Sequence, residues 1–177
     1  KACQDSKATP GKLLADNVHF CREQLRPAPA YVWNDMFDPH HNAVPGPYYL
    51  VNGDLTGSWE GLSPDVVIMN WNEGKRAASL KFFADRGHKQ VIATYYDDPS
   101  LESTKRWLKT AKGHPSVEGF MYTTWTNNYD HIEKFARARF PAGTSFHDRR
   151  ALDAVQRELR EIPGVTVLIY EQTCAAE

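Results

Sequence analysis

Trp71, Asn72 and Glu73 stand together at the end of a short apolar run, DVVIMNWNEG at 65–74. The grouping returns along the chain as Trp33-Asn34-Asp35, Tyr95-Tyr96-Asp97-Asp98 and Trp125-Thr126-Asn127. Trp33, Trp71, Tyr96 and Trp125 offer rings; Asp35, Glu73, Asp97 and Asp98 offer carboxylates. Rings beside carboxylates and amides suit a sugar. The C–H faces of a pyranose stack on indole, and its hydroxyls donate to Asp and Glu. A pair of carboxylates flanking a glycosidic bond can also act as acid and base. Taken alone, each grouping is better explained by rings that cap the core beside wet polar neighbours. Core capping does not by itself call for four copies of one pattern.

The elements around these groupings set their positions. Runs at 30–35, 66–70, 90–98 and 117–124 are apolar and bounded by turn residues, as strands buried on both faces should be. Leu14, Val18, Cys21 and Leu25 recur at helical spacing over 12–25, ahead of Pro27 and Pro29. Further helical patterns cover 75–86, closed by Gly87, then 101–112 and 129–139. Strand and helix in tandem predict a parallel sheet, with every grouping on its carboxyl edge. After Pro141-Ala142-Gly143 come a helix at 148–162 and a strand at 165–170. A run at 48–51 could be another short strand or a hairpin arm.

Bulk properties remove several function classes. With 21 Lys and Arg against 22 Asp and Glu in 177 residues, nothing electrostatic favours nucleic acid or an anionic membrane. No apolar run approaches the roughly 20 residues of a membrane span. Residues 1–10 are polar and loop-like, without the pattern of a secretion signal. Cys3, Cys21 and Cys174 are odd in number and widely spaced, which fits buried or incidental thiols and leaves the compartment open. Asp38, His40 and His41 invite a metal, but no third ligand follows at fixed spacing, so no metal is assigned. Asn52-Gly53-Asp54-Leu55 lacks the second glycine of a thiamine diphosphate motif and reads as a turn. No phosphate loop, dinucleotide glycine pattern or iron–sulfur cysteine run occurs, and no cofactor is assigned.

The segments YVWNDMFDPHHN, DVVIMNWNEG, QVIATYYDD and GFMYTTWTNNYDHIEKFA, in that order over about 12–140, resemble the carboxyl-terminal half of a glycoside hydrolase family 20-like (β/α)₈ TIM barrel, the β-N-acetylhexosaminidase group. The resemblance implies that 117–124 is the last barrel strand. It implies that Trp33, Trp71, Tyr96 and Trp125 line a pocket for an N-acetylated sugar. Asp35, Glu73, Asp97 and Asp98 would then hold hydroxyls. That family's catalytic Asp-Glu pair ends the fourth strand, ahead of these segments, and no Asp-Glu dipeptide occurs in this chain. No catalytic residue is therefore carried over. The tail, RALDAVQRELREIPGVTVLIYEQTCAAE, resembles a thiamine diphosphate-region segment of indolepyruvate ferredoxin oxidoreductase. Two unrelated resemblances meeting near 140–143 imply a chimera.

The expected fold is therefore α/β: a partial (β/α)₈ barrel with outer helices over 1–140, and a helix–strand appendage over 141–177. The implied function is the carbohydrate-site half of a glycoside hydrolase, inactive alone. A non-catalytic sugar-binding or scaffolding domain is the alternative. A fragment of the oxidoreductase is a third, resting on the tail only. The expected partners are a carbohydrate ligand and a second copy meeting an open strand edge.

Overall fold

The computed structural model describes residues 7–47, 53–138 and 149–161. The run at 48–51, the strand expected at 165–170 and the junction at 140–143 lie outside them. The chain divides into two compact units, Lys1–Phe135 and Ala136–Glu177. The second contributes α5 (Leu152–Arg160), an amphipathic helix with Val155 buried.

The first unit is a mixed α/β layer. Helix α1 (Pro10–Leu25) leads to strand β1 (Tyr31–Trp33). Then come β2 (Val67–Asn70), α2 (Arg76–Ala84), β3 (Gln90–Tyr95), α3 (Glu102–Ala111), β4 (Val117–Thr123) and α4 (Ile132–Arg137). The strands form one parallel four-stranded sheet in chain order, β1-β2-β3-β4. A register shift between Gln90 and Val91 marks a bulge in the β3–β4 pairing. Among the described residues no helix is long and apolar enough to cross a membrane.

Several boundaries differ from the periodicity, each for a local reason. Helix α1 begins at Pro10 rather than 12, because Thr9 Oγ1 accepts the Lys12 N–H at 3.2 Å and proline is tolerated in the first turn. Strand β3 stops at Tyr95 rather than 98. Tyr95, Tyr96 and Asp97 all take positive φ, at 97°, 45° and 57°, which ends the extended backbone. Cys21 is exposed on α1, so burial does not explain this thiol.

Alternation along the strands assigns their faces. Ile68 packs with Phe83 of α2, and Ile92 packs with Leu80 of α2 and Trp107 of α3. The opposite face carries Trp33 paired to Met69 and Met69 paired to Val91. The core thus lies between sheet and helices, while the sheet's other face opens toward the carboxyl edge. Helix α1 is held at the amino end of β2 by Arg22, which donates to Asp65 Oδ2 at 2.6 Å and to the Ala28 carbonyl at 2.9 Å. That guanidinium holds the Asp65 carboxyl down at about 2. Gly61 permits the closest approach of this region: a methyl there would overlap the Ala15 carbonyl of α1.

Candidate functional site

Polar side chains at the strand ends bond to the neighbouring strand, and they support the rim. Asn34, fully buried after β1, accepts the Trp71 N–H on Oδ1 at 3.0 Å and donates from Nδ2 to Asp38 Oδ2 at 2.8 Å. Its amide orientation is fixed, since an N–H must meet the oxygen and a carboxylate must meet the NH₂. Asn70, fully buried at the end of β2, donates to Gln90 Oε1 of β3 at 3.3 Å, and Gln90 in turn donates to the Leu80 carbonyl at 2.8 Å. Asn72 donates to the His40 carbonyl and to Ser79 Oγ, both at 2.9 Å. Strands β1 and β2 thus end in buried amides whose hydrogen-bonding needs are met, with Asn70 reaching back to Gln90 at the start of β3.

The β3–β4 tie is Asp97. Its carboxylate accepts from Thr124 Oγ1 at 2.5 Å, from the Trp125 N–H at 2.8 Å and from Thr126 Oγ1 at 2.8 Å. The Thr124 hydroxyl, then the Trp125 N–H and Thr126, hold this carboxyl below its usual range. Positive-φ backbone at three successive non-glycine residues costs energy and persists only where the surroundings over-determine it. Here the Asp97 bonds do so, together with the Tyr95 ring stacked on Tyr122 at 4.0 Å and the Tyr96 hydroxyl donating to the Ala93 carbonyl at 2.6 Å. Burial, and then the Glu73 charge, raise the Tyr96 hydroxyl well above the ordinary phenol range.

Above this rim lies a cleft of about 350 Å³, lined by Trp33, Asp35, Trp71, Tyr96, Thr123, Thr124 and Trp125. Its volume falls at the low end of small-molecule sites, roughly 300–1,000 Å³. Trp33 is 43% exposed and Trp125 is 74% exposed, so these indoles present faces to solvent. The Trp71 ring sits 6.2 Å from Tyr96 and 4.7 Å from His41 between centroids. Asp35 accepts from Asn42 Nδ2 on Oδ2 at 3.3 Å, and among the described residues no hydrogen bond reaches its Oδ1.

The eight residues singled out from sequence divide into two groups. Trp33, Asp35, Trp71, Tyr96 and Trp125 come together around the cleft. Glu73, Asp97 and Asp98 are not among its lining residues. Glu73 accepts from Ser103 Oγ at 2.9 Å and from Arg106 Nε at 2.9 Å, and also pairs with Arg76 at 3.6 Å. Asp98 caps the approach to α3, accepting from Ser100 Oγ at 2.6 Å and the Ser103 N–H at 3.2 Å. Its carboxyl is held low by the Ser100 hydroxyl first and then by the Ser103 and neighbouring N–H groups. Asp38, His40 and His41 do not converge. Asp38 serves Asn34 and the His40 N–H, the His40 ring meets Phe82 edge-on, and His41 lies against Trp71. Among the described residues no group of His, Cys, Asp and Glu is arranged to hold a metal.

Thr123 and Thr124 border the site without having been singled out, and His41, weighed from sequence only as a metal ligand, lies against Trp71. The first two end a strand just before Trp125, and that position was the available signal. Comparison with protein-family models, with curated proteins and with solved structures finds no match to this chain.

Proposed function

We propose that the first unit is a run of consecutive βα units of a (β/α)₈ barrel, and that its cleft binds carbohydrate. The observation that carries this reading is the cleft itself. Three indoles, one phenol ring and one carboxylate, drawn from all four strand ends, line a single cavity at the carboxyl edge of a parallel sheet. Strands in chain order have no reversal point, unlike a doubly wound sheet, and match neighbouring barrel strands. Residues from both edge strands line the same cleft. In a flat sheet those ends would stand about 14 Å apart, at about 4.8 Å per strand, so a shared cleft favours a curled sheet. The resemblance of these strand ends to the family 20 glycoside hydrolases agrees with this reading.

The reading is binding without hydrolysis. A glycosidase of the usual kind sets two carboxyl groups across the bond it cuts. Among the described residues Asp35 is the one carboxylate lining this cleft. Glu73 is committed to Arg106 and Ser103, and Asp97 to the Trp125 loop. The test pairs titration calorimetry of a chito-oligosaccharide with an aryl N-acetylglucosaminide assay. Saturable binding that is lost in Trp71→Ala, with no turnover, is the expected result. Absence of binding refutes the sugar site, and turnover abolished by Glu73→Gln refutes the non-catalytic assignment.

A further inference from the structure

The charge balance of the cleft narrows the ligand class. We propose that the cleft prefers a protonated amino sugar, with its ammonium among the indole faces and paired to Asp35. This rests on the carbohydrate reading above and specifies it.

Among the described residues the lining includes one carboxylate and no lysine or arginine. The other carboxylates of the rim are compensated. Glu73 has Arg106 and Arg76, while Asp97 and Asp98 have several donors each. Asp35 has one long bond from a neutral amide, at 3.3 Å, and among the described residues its Oδ1 has none. Its charge is therefore the one left for a ligand. Around it stand the rings of Trp33, Trp71, Trp125 and Tyr96, whose π faces carry negative charge density. Such faces attract an ammonium group, and most strongly so where water is displaced. An anionic sugar would meet the same rings and the same carboxylate as repulsion, with no arginine or lysine among the described lining residues to offset it. An acetylated amine stacks equally well but carries no charge, so it forgoes both the cation–π attraction and the charge-assisted bond to Asp35.

The experiment compares glucosamine trimer, N-acetylglucosamine trimer and a uronic acid trimer, titrated into the full chain at low salt. The pH is mildly acidic, where sugar amines are protonated. Glucosamine trimer is expected to bind about tenfold more tightly than the acetylated trimer, the scale of one charge-assisted contact. That advantage should shrink as salt is raised and fall by most of its size in Asp35→Asn, where only the attraction of the rings for the ammonium remains. The variant keeps an oxygen to accept from Asn42. The salt dependence of the unaltered chain gives a second readout that needs no variant. Equal or tighter binding of the acetylated trimer would overturn the ammonium preference and leave the carbohydrate reading standing. A preference undiminished in Asp35→Asn would overturn the assignment to that carboxylate. If no sugar binds at all, the carbohydrate reading falls and the preference falls with it.

Discussion

Replacing Asn34 by aspartate changes an NH₂ into an oxygen at a site of zero exposure, 2.8 Å from the Asp38 carboxylate. The Trp71 N–H keeps its acceptor, so the substitution isolates the other half of the link. A hydrogen bond to a charged acceptor, about 1.5–3 kcal/mol, is lost. A second anion arrives at the same separation, where the repulsion is about 6 kcal/mol at an effective dielectric of about 20. Proton uptake by the pair caps that penalty, so the net cost near neutral pH should be about 3–5 kcal/mol. The pH dependence follows from the shared proton. The folded variant binds a proton that the unfolded chain, with ordinary carboxylates near 4, has released. Stability is therefore highest at acidic pH and falls as pH rises through the range in which the folded pair loses that proton. Urea denaturation at several pH values between about 4 and 8 reads this directly. The reciprocal variant Asn34→Asp/Asp38→Asn supplies a rescue. The new amide at 38 can donate to the aspartate at 34 and still accept the His40 N–H, as Asp38 does at 2.8 Å. At least half of the lost stability should return. A cost below about 0.5 kcal/mol, a cost independent of pH, or additive destabilisation in the reciprocal variant would refute the Asn34–Asp38 bond that holds Asn34 in place behind β1.

Two further outcomes follow from the packing. Gly61→Ala sets a methyl against the Ala15 carbonyl, so α1 must shift; a loss of about 1–3 kcal/mol in urea denaturation is expected, and an unchanged midpoint would contradict the close approach. His88, 2% exposed, is held below its usual range by burial, even though its Nδ1 meets the Val66 carbonyl at 3.0 Å. The unfolded chain takes up the proton first, so the stability from this group is complete above about 6.5 and lost as pH falls below it. Denaturation midpoints at pH values either side of about 6 should drop on the acid side, and the drop should shrink in His88→Gln. The Arg22–Asp65 pair contributes its own loss only in stronger acid, as pH falls from about 4 toward the Asp65 value of about 2, which separates the two groups.

The parallel order of the strands was legible because the runs ending at Trp33, Asn70, Tyr95 and Thr123 are apolar and alternate with helical periodicity. Periodicity carries the element type and, through chain order, which ends share an edge. It does not carry side-chain direction once the strand has ended. Glu73 and Trp71 are two positions apart in sequence, yet one pairs with Arg106 across to α3 and the other lines the cleft. Asp97 looks from sequence like a hydroxyl holder. Backbone N–H and threonine groups some 27 to 29 positions away take up its oxygens, a pairing that depends on the β3–β4 register. The buried roles of Asn34, Asn70 and Asn72 were harder still to see. The one hint was a polar residue closing an otherwise apolar run, and only the neighbouring strand shows what it bonds. Strand β3 ends early because three non-glycine residues adopt positive φ, which residue identity alone would not suggest.

The proposal that the cleft binds carbohydrate is tested most directly by the indole N–H resonances of the chain during titration with a glucosamine or N-acetylglucosamine trimer. The chain carries five tryptophans. Trp33, Trp71 and Trp125 line the cleft, while Trp107 is fully buried against Leu80 and Ile92, and Trp59 packs on the core beside Phe82. Saturable shifts of the three cleft indoles, with the signals of Trp59 and Trp107 unmoved, are the expected result. No shift in any of the three at millimolar sugar, or shifts confined to Trp59 and Trp107, would contradict the assignment of this cleft to carbohydrate.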